Sequence, residues 1–220
     1  MIMNLIELAH TLQKFVVSME GNVSVKNPDG TLYIKSSGTS LASLTENDLT
    51  LCDPEGVKID IKNKFPSMEV AMHTWLYRNL NCNFIAHTHP KNTLKILCSG
   101  NLEEFATTRL FPDHVVFNGK KSCVVPYANP GQELRFALET ATKNFMMITN
   151  EIPNVFLLQN HGIITIGANH TECLVATEIC EKAAEIYLGS KLLGMINTLS
   201  SKDIEYISKD KNEIYRKGQL

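Results

Sequence analysis

His87 and His89 stand two residues apart in Asn83-Phe84-Ile85-Ala86-His87-Thr88-His89-Pro90. At the end of an apolar strand, that spacing sends both imidazoles to one side, which is the geometry of a metal-binding pair. His161 closes a second apolar run, Val155-Phe156-Leu157-Leu158-Gln159-Asn160-His161-Gly162, so neighbouring strands can bring three imidazoles onto one ion. Three protein nitrogens leave a tetrahedral zinc with an open position, the arrangement of a catalytic site. Strand-end histidines also satisfy local hydrogen bonds, and the pair alone leaves both readings open. Glu69, in Pro66-Ser67-Met68-Glu69, is the carboxylate to set beside them. In the first turn of a helix, it is equally explained by the helix dipole.

These residues need a scaffold, and the apolar pattern supplies one. Leu5 to Val17 has helical spacing, stopped by Gly21, and Asn22-Val23-Ser24-Val25 alternates as a strand does. Asn27-Pro28-Asp29-Gly30 turns the chain into a second strand, Thr31 to Lys35, which ends in the small-residue loop Ser36-Ser37-Gly38-Thr39. Leu49 to Cys52 and Val57 to Ile59 flank another turn. Pro66 to Glu69 opens a helix with Met68, Met72, Trp75 and Leu76 as its buried stripe. Strands follow at Phe84 to His87, Cys123 to Val125, Val155 to Gln159 and Ile163 to Ile166. Helices are expected at Asn92 to Leu97, Gln132 to Met147 and Thr171 to Leu193. Without strict βαβ alternation, the pattern fits an antiparallel or mixed sheet flanked by helices.

With 220 residues, 44% of them hydrophobic, the chain can bury one sizeable core, and no linker divides it. Residues 1–220 are expected to form a single domain, with 194–220 a C-terminal extension able to reach a neighbouring subunit. The formal net charge of -2, with both signs mixed throughout, leaves no electrostatic footprint for nucleic acid or an anionic membrane. Glu7, His10, Gln13 and Lys14 interrupt the apolar pattern at the start, and no later segment has the uninterrupted length of a membrane helix. The expectation is a soluble, cytoplasmic protein. Its six cysteines form no CxxC pair and read as reduced and structural, with Cys173 and Cys180 on one buried helical face.

Taken together and in order, Gly21-Asn22-Val23-Ser24-Val25, Ile34-Lys35-Ser36-Ser37-Gly38, Leu44-Thr45, Pro66-Ser67-Met68-Glu69, His87-Thr88-His89 and Asn160-His161-Gly162 resemble the class II aldolase/adducin family. That family includes fuculose-phosphate and rhamnulose-phosphate aldolases and ribulose-phosphate 4-epimerase. The resemblance runs from about Leu5 to Leu193. It implies an α/β/α fold, three layers around a central, mostly antiparallel sheet. It also implies Zn2+ or another divalent metal such as Mn2+ or Co2+, and a ring-shaped homotetramer with active sites at subunit interfaces.

By the same resemblance, His87, His89 and His161 match the metal ligands, and Glu69 the acid/base that also binds the metal in the substrate-free state. Asn22, Lys35, Ser37, Gly38 and Ser67 lie in the loops that grip a substrate phosphate, where backbone amides and hydroxyls converge near a helix start. Singly, Ser36-Ser37-Gly38 is also explained as a tight turn and Ser67 as a helix-start residue. Met68 departs from the second serine that many of these aldolases carry, although its backbone amide remains. Family aldolases often take a second proton-handling group, a tyrosine, from the neighbouring subunit. The corresponding stretch here, Arg109-Leu110-Phe111-Pro112-Asp113-His114, has none. Asp113 is the candidate in its place, with His114, Tyr206 and Tyr215 as alternatives; Asp113 is also explained as the end of a turn after Pro112. His73, four residues after Glu69 and on its helical face, reads as a supporting partner, a ligand or a packed histidine bonded to nearby backbone, the last being the expectation.

The implied activity is metal-dependent cleavage of a phosphorylated (deoxy)ketose, a ketose 1-phosphate, to dihydroxyacetone phosphate and an aldehyde. Glu69 favours this over the 4-epimerase, whose subgroup commonly carries aspartate there. Decarboxylation of a keto-acid phosphate and dehydration of a thio-ketose phosphate are alternatives within the family, and an adducin-like assembly module is the non-enzyme alternative.

Overall fold

The computed structural model describes residues 1–219. Seven strands form one sheet: β1 (Asn22–Lys26), β2 (Leu32–Lys35), β3 (Leu49–Cys52), β4 (Phe84–Thr88), β5 (Cys123–Val125), β6 (Val155–Leu158) and β7 (Gly162–Gly167). Their order is β3-β2-β1-β4-β7-β6-β5. All neighbours are antiparallel except β5 and β6. The expected three-layer α/β/α arrangement with a mostly antiparallel sheet is what the chain adopts.

Period-two alternation divides the strand side chains between two helical layers. On one face Val23, Val25, Phe84 and Ala86 meet α1 (Ile2–Leu12) and Cys173 of α7 (His170–Leu192). Farther along that face, Val155, Leu157 and Ile163 pack on α3 (Lys91–Leu97), α4 (Leu102–Thr107) and the second half of α7. On the opposite face Leu32, Ile34, Ile85, Phe156 and Ile164 meet Met72, Trp75 and Leu76 of α2 (Val70–Asn79) and Leu134 and Leu138 of α6 (Gln132–Thr149). Leu76 is fully buried there, and truncating such a leucine costs about 2–5 kcal/mol. The odd-numbered residues of β4 belong to this second face. His87 therefore follows Ile85 toward α2, and the same alternation turns Asn22 and Ser24 of β1 to that side.

Gly21 sets the entry to β1. Its φ is +69°, and a Cβ on it would lie 2.7 Å from the His87 carbonyl oxygen. Only glycine meets both constraints, so Asn22 can start its strand directly beside His87.

Several local expectations are corrected. α1 ends at Leu12 and passes into a 3-10 turn, Gln13–Phe15, short of the predicted Val17. Val57 to Ile59 is not a strand; only a single bridge joins Lys58 to Cys52. Met68 is exposed and no part of the α2 stripe, because the helix starts two residues later. The sequence reading left out α4, α5 (Pro112–Asn118), α8 (Ser201–Lys209) and α9 (Lys211–Lys217). The C-terminal helices pack on α5 of their own chain, with Arg216 paired to Asp113 and Lys120 donating to Glu205 at 2.9 Å. Cys173 and Cys180 are both buried, all six cysteines are free, and Cys98 alone is exposed. Among the described residues, no helix is long and apolar enough to cross a membrane.

Candidate active site

Three chain segments deliver the histidines. His87 sits within β4, paired in register with Asn22 on one side and Ile164 on the other. His89 lies one residue past the strand end, where its backbone N–H donates to the Phe15 carbonyl at 3.2 Å. His161 comes from the short turn joining β6 to β7. Asn160 holds a left-handed conformation there (φ 55°), which asparagine tolerates better than most residues, and the His161 N–H closes the turn on the Leu158 carbonyl at 3.1 Å. The ring centroids are 4.8, 4.8 and 5.3 Å apart. One ligand atom from each lies within 4.8 Å of the others.

Glu69 occupies the N-cap position of α2, yet its side chain makes no capping bond. The carboxylate turns into the site instead. Oε2 is 3.3 Å from His87 Nε2 and Oε1 is 3.3 Å from His161 Nε2. The Asn22 amide donates to Oε2 at 2.7 Å. Helix-start stabilisation thus fails to account for this side chain, which is 9% exposed.

The donor set fits a divalent cation. His87 donates its Nδ1–H to the Ile163 carbonyl at 2.9 Å, which leaves its Nε2 with a lone pair. His89 Nδ1 faces Glu20 Oε2 at 3.4 Å, a carboxylate that favours the hydrogen on Nδ1 and so leaves Nε2 for a ligand. These two Nε2 atoms approach to 3.0 Å. With the hydrogen of each ring on Nδ1, the two Nε2 lone pairs and the carboxylate beside them would converge on a cation, and neutral imidazole nitrogens are what a metal takes.

Electrostatics agree. Burial alone would raise the Glu69 carboxyl, but His87, His161 and the Asn22 bond outweigh it and hold the group below the usual glutamate range. Burial, reinforced by the neighbouring histidines, pushes His89 down to about 4. Burial and His87 also lower His161, against the pull of Glu69. The His89 and His161 rings are therefore neutral near pH 7.

The loops read as a phosphate grip come together beside Glu69. The Ser37 N–H donates to the Phe65 carbonyl at 2.9 Å and the Ser67 N–H to the Lys35 carbonyl at 3.1 Å, which ties the turn after β2 to the start of α2. Ser37 and Gly38 are exposed, and Ser67 is buried. Ser67 Oγ accepts the Glu69 N–H at 3.3 Å. Lys35 is buried, with Nζ donating to the Met19 carbonyl at 3.1 Å; burial lowers its pKa and Glu69 opposes that shift. Asn22 spends its amide on Glu69 and His73, leaving one N–H for a ligand.

The candidates for a second proton-handling group lie elsewhere. Asp113, in the first turn of α5 and not at a turn's end, is paired with Arg216 and makes no hydrogen bond or ion pair with Glu69 or the three histidines. His114 is buried between Phe105 and Phe111. Tyr206 and Tyr215 are exposed on the C-terminal helices.

Sequence reasoning missed what supports Glu69. His73 bonds side chains and not the backbone: Nε2 lies 2.5 Å from Asn22 Oδ1 and Nδ1 2.6 Å from Ser24 Oγ. Ser24 Oγ lies 2.6 Å from the Tyr77 hydroxyl. Complete burial pushes His73 down to about 3, against the attraction of Glu69. The signal was present, since Glu69, His73 and Tyr77 recur every fourth residue on α2 while Asn22 and Ser24 alternate on β1.

Comparison with known proteins agrees with this geometry. An L-fuculose phosphate aldolase of Methanococcus maripaludis is 32% identical over 188 residues, covering 84% of this chain and 94% of that protein. A 3-oxo-tetronate 4-phosphate decarboxylase of Haemophilus influenzae is 28% identical over 195 residues, covering 87% and 88%. Among solved structures, an L-fuculose 1-phosphate aldolase superposes with a TM-score of 0.79 at 22% identity, covering 94% of this chain and 93% of that one, a likeness of fold. The sequence model described as Class II Aldolase and Adducin N-terminal domain matches residues 2–188, and the chain belongs to that family.

Proposed function

We propose that this protein is a metal-dependent lyase that cleaves a phosphorylated (deoxy)ketose, a ketose 1-phosphate, to dihydroxyacetone phosphate and an aldehyde. The observation that carries this reading is the Glu69 carboxylate, set against His87 and His161 and held by Asn22. His87, His89 and His161 would hold the ion, zinc or another divalent metal such as Mn2+ or Co2+. A bound cation supplies Lewis acidity to the substrate carbonyl. Glu69 takes and returns the proton at the carbon beside that carbonyl. When the carbon–carbon bond breaks, the hydroxyl proton leaves with a base, the aldehyde departs, and the electron pair left behind accepts a proton that the Glu69 carboxylate has first taken up from solvent. Lys35, Ser37, Gly38, Ser67 and the remaining Asn22 N–H fit the phosphate.

Asp113 would serve as the second proton-handling group only by facing a neighbouring chain's site. A homotetramer with interfacial sites, as the family resemblance implies, would meet that requirement, and residues 194–220 could then also meet a neighbour. The size of the assembly in solution checks it.

The likeness to a 3-oxo-tetronate 4-phosphate decarboxylase supports a second reading. Both reactions leave an electron pair on a carbon beside a carbonyl, so one site suits either. Product identification separates them. Metal-loaded protein is incubated with L-fuculose 1-phosphate, other ketose 1-phosphates and a 3-keto sugar acid phosphate. Dihydroxyacetone phosphate plus an aldehyde supports the aldolase, carbon dioxide the decarboxylase and an isomeric sugar phosphate the epimerase. Turnover of none of them, together with no stoichiometric metal, leaves the assembly module.

A further inference from the structure

The buried chain Glu69, Asn22, His73, Ser24, Tyr77 has a direction forced by one premise, that Glu69 is ionised. A carboxylate only accepts, so the Asn22 NH2 must face Oε2, as the 2.7 Å contact has it. The Asn22 carbonyl oxygen then faces His73 Nε2 at 2.5 Å and needs a donor, so Nε2 carries the hydrogen. A neutral imidazole has a single N–H, which makes Nδ1 an acceptor, and only the Ser24 hydroxyl is in place to donate to it, at 2.6 Å. Ser24 Oγ can in turn accept from the Tyr77 hydroxyl at 2.6 Å. Every donor points toward Glu69. Asn22, Ser24, His73 and Tyr77 are between 0% and 8% exposed, so water cannot replace a missing partner, and reversing any one bond strands another.

We propose that His73 is a positioning residue of this site: its Nε2–H locks the Asn22 amide with NH2 toward Glu69, which keeps Oε2 occupied and leaves Oε1 as the oxygen that exchanges protons with substrate. This rests on the reading of Glu69 as the acid/base. Oε2 already faces the Asn22 donor and His87, whereas Oε1 faces only His161. Without the His73 donor, the Asn22 amide is free to turn its oxygen toward the carboxylate, and the carboxylate moves away from it. The His73 ring bonds Asn22 and Ser24 and none of the three histidines, so the ion should stay bound.

The experiment uses the full-length metal-loaded protein in three arms. Long-range proton–nitrogen NMR of protein labelled with 15N-histidine should show His73 neutral, with the hydrogen on Nε2 and Nδ1 bare. A hydrogen on Nδ1 overturns the proposal. Kinetics on the sugar phosphate that the wild type cleaves should show His73→Leu losing about tenfold or more in kcat with KM and metal content little changed, the worth of a hydrogen bond to a charged group. His73→Gln, whose amide N–H can take the place of Nε2–H, should recover most of that loss. In an Asn22→Ala background, His73→Leu should cost little more, because the path to Glu69 is already cut. Full additivity of the two losses, a change confined to KM, or no recovery by glutamine overturns the proposal. If His73→Leu does not fold, His73→Met, which likewise offers no N–H, takes its place in the wild-type and Asn22→Ala backgrounds. A wild type inactive on every sugar phosphate would count against the proposed function, while the tautomer would still decide whether His73 orients Asn22.

Discussion

Gly162 lies edge-on against the His89 ring, so that a Cβ at this position would run into His89 Cδ2 and come within 2.6 Å of the Thr88 carbonyl oxygen and 3.1 Å of His87 Cε1. The first residue of β7 is thus a spacer that sets how closely the turn carrying His161 approaches the pair on β4. Two ring atoms and a backbone oxygen would have to give way together, and β4 is hydrogen-bonded on both edges. Gly162→Ala is expected to weaken zinc affinity by about tenfold or more while the fold persists, in the range seen when groups that orient metal ligands are altered. His161→Ala should remove the stoichiometric ion altogether. Metal analysis and competitive zinc titration of both variants check this, and unchanged affinity in Gly162→Ala would dismiss the spacer role.

Glu69→Gln separates chemistry from scaffold. An amide fills the same volume and can keep a bond to Asn22, but it cannot carry the proton, so turnover should fall by roughly 10²-fold or more with metal content and melting temperature near wild type. Near-normal turnover would remove Glu69 from the reaction.

How much of this was legible in the sequence depends on the range of the interaction. Period-two alternation and the i, i+4 spacing are local, and they placed the seven strands of the sheet, the body of α2 and the three histidines close to where the structure has them. The register of Asn22 against His87 joins segments 65 residues apart, and nothing local specifies which strand becomes the neighbour of β4. α4 and α5, at six and seven residues, display too little of a helical period to be read with certainty, although α3, equally short, was expected at Asn92 to Leu97. For α8 and α9 a signal went unused. Ser200 accepts from the Asp203 N–H, and Asp210 accepts from the Asn212 and Glu213 N–H groups, both N-cap patterns visible in the residue types. Asp113 reads as a free carboxylate in the sequence only because its partner, Arg216, lies 103 residues away.

Lys35 bears on substrate choice. It is buried, its Nζ is tied to the Met19 carbonyl, and it lies in the field of Glu69. A cation kept there at the cost of desolvation is suited to an anionic ligand. Wild type should therefore use a phosphorylated sugar roughly 10²-fold more efficiently than the same sugar without phosphate. Lys35→Met should erase much of that preference, through KM if the phosphate only anchors and through kcat as well if anchoring sets the reacting carbon. Kinetics of the sugar pair in both proteins give the answer. Equal efficiencies in wild type would point to a free sugar or a carboxylated substrate.

His114 makes stability depend on pH in a way that can be isolated from the active site. Burial, with Arg109 adding to it, holds this imidazole well below its ordinary 6.5, and its buried Nδ1 has no hydrogen-bond partner among the described residues. The unfolded chain takes up a proton at His114 near pH 6.5, whereas the folded chain does so only far below that. The unfolded state therefore binds more protons in between, and stability rises with pH across that interval. The contribution is present in full above pH 6.5 and is lost as pH falls, at a slope of at most about 1.4 kcal/mol per pH unit for one histidine. His73, pushed down to about 3, and His89, pushed down to about 4, act in the same direction, so acid sensitivity should set in well above the carboxylate range. His114→Leu keeps an apolar side chain of similar bulk between Phe105 and Phe111 and removes one of these titrations. Urea midpoints at pH 7.5, 6.0 and 5.0, chosen to bracket an ordinary histidine pKa of about 6.5, should show the variant losing less stability on acidification, with a slope shallower by up to about 1.4 kcal/mol per pH unit. An equally steep slope in the variant would mean that the folded protein accommodates His114 as a cation, against its burial and its proximity to Arg109.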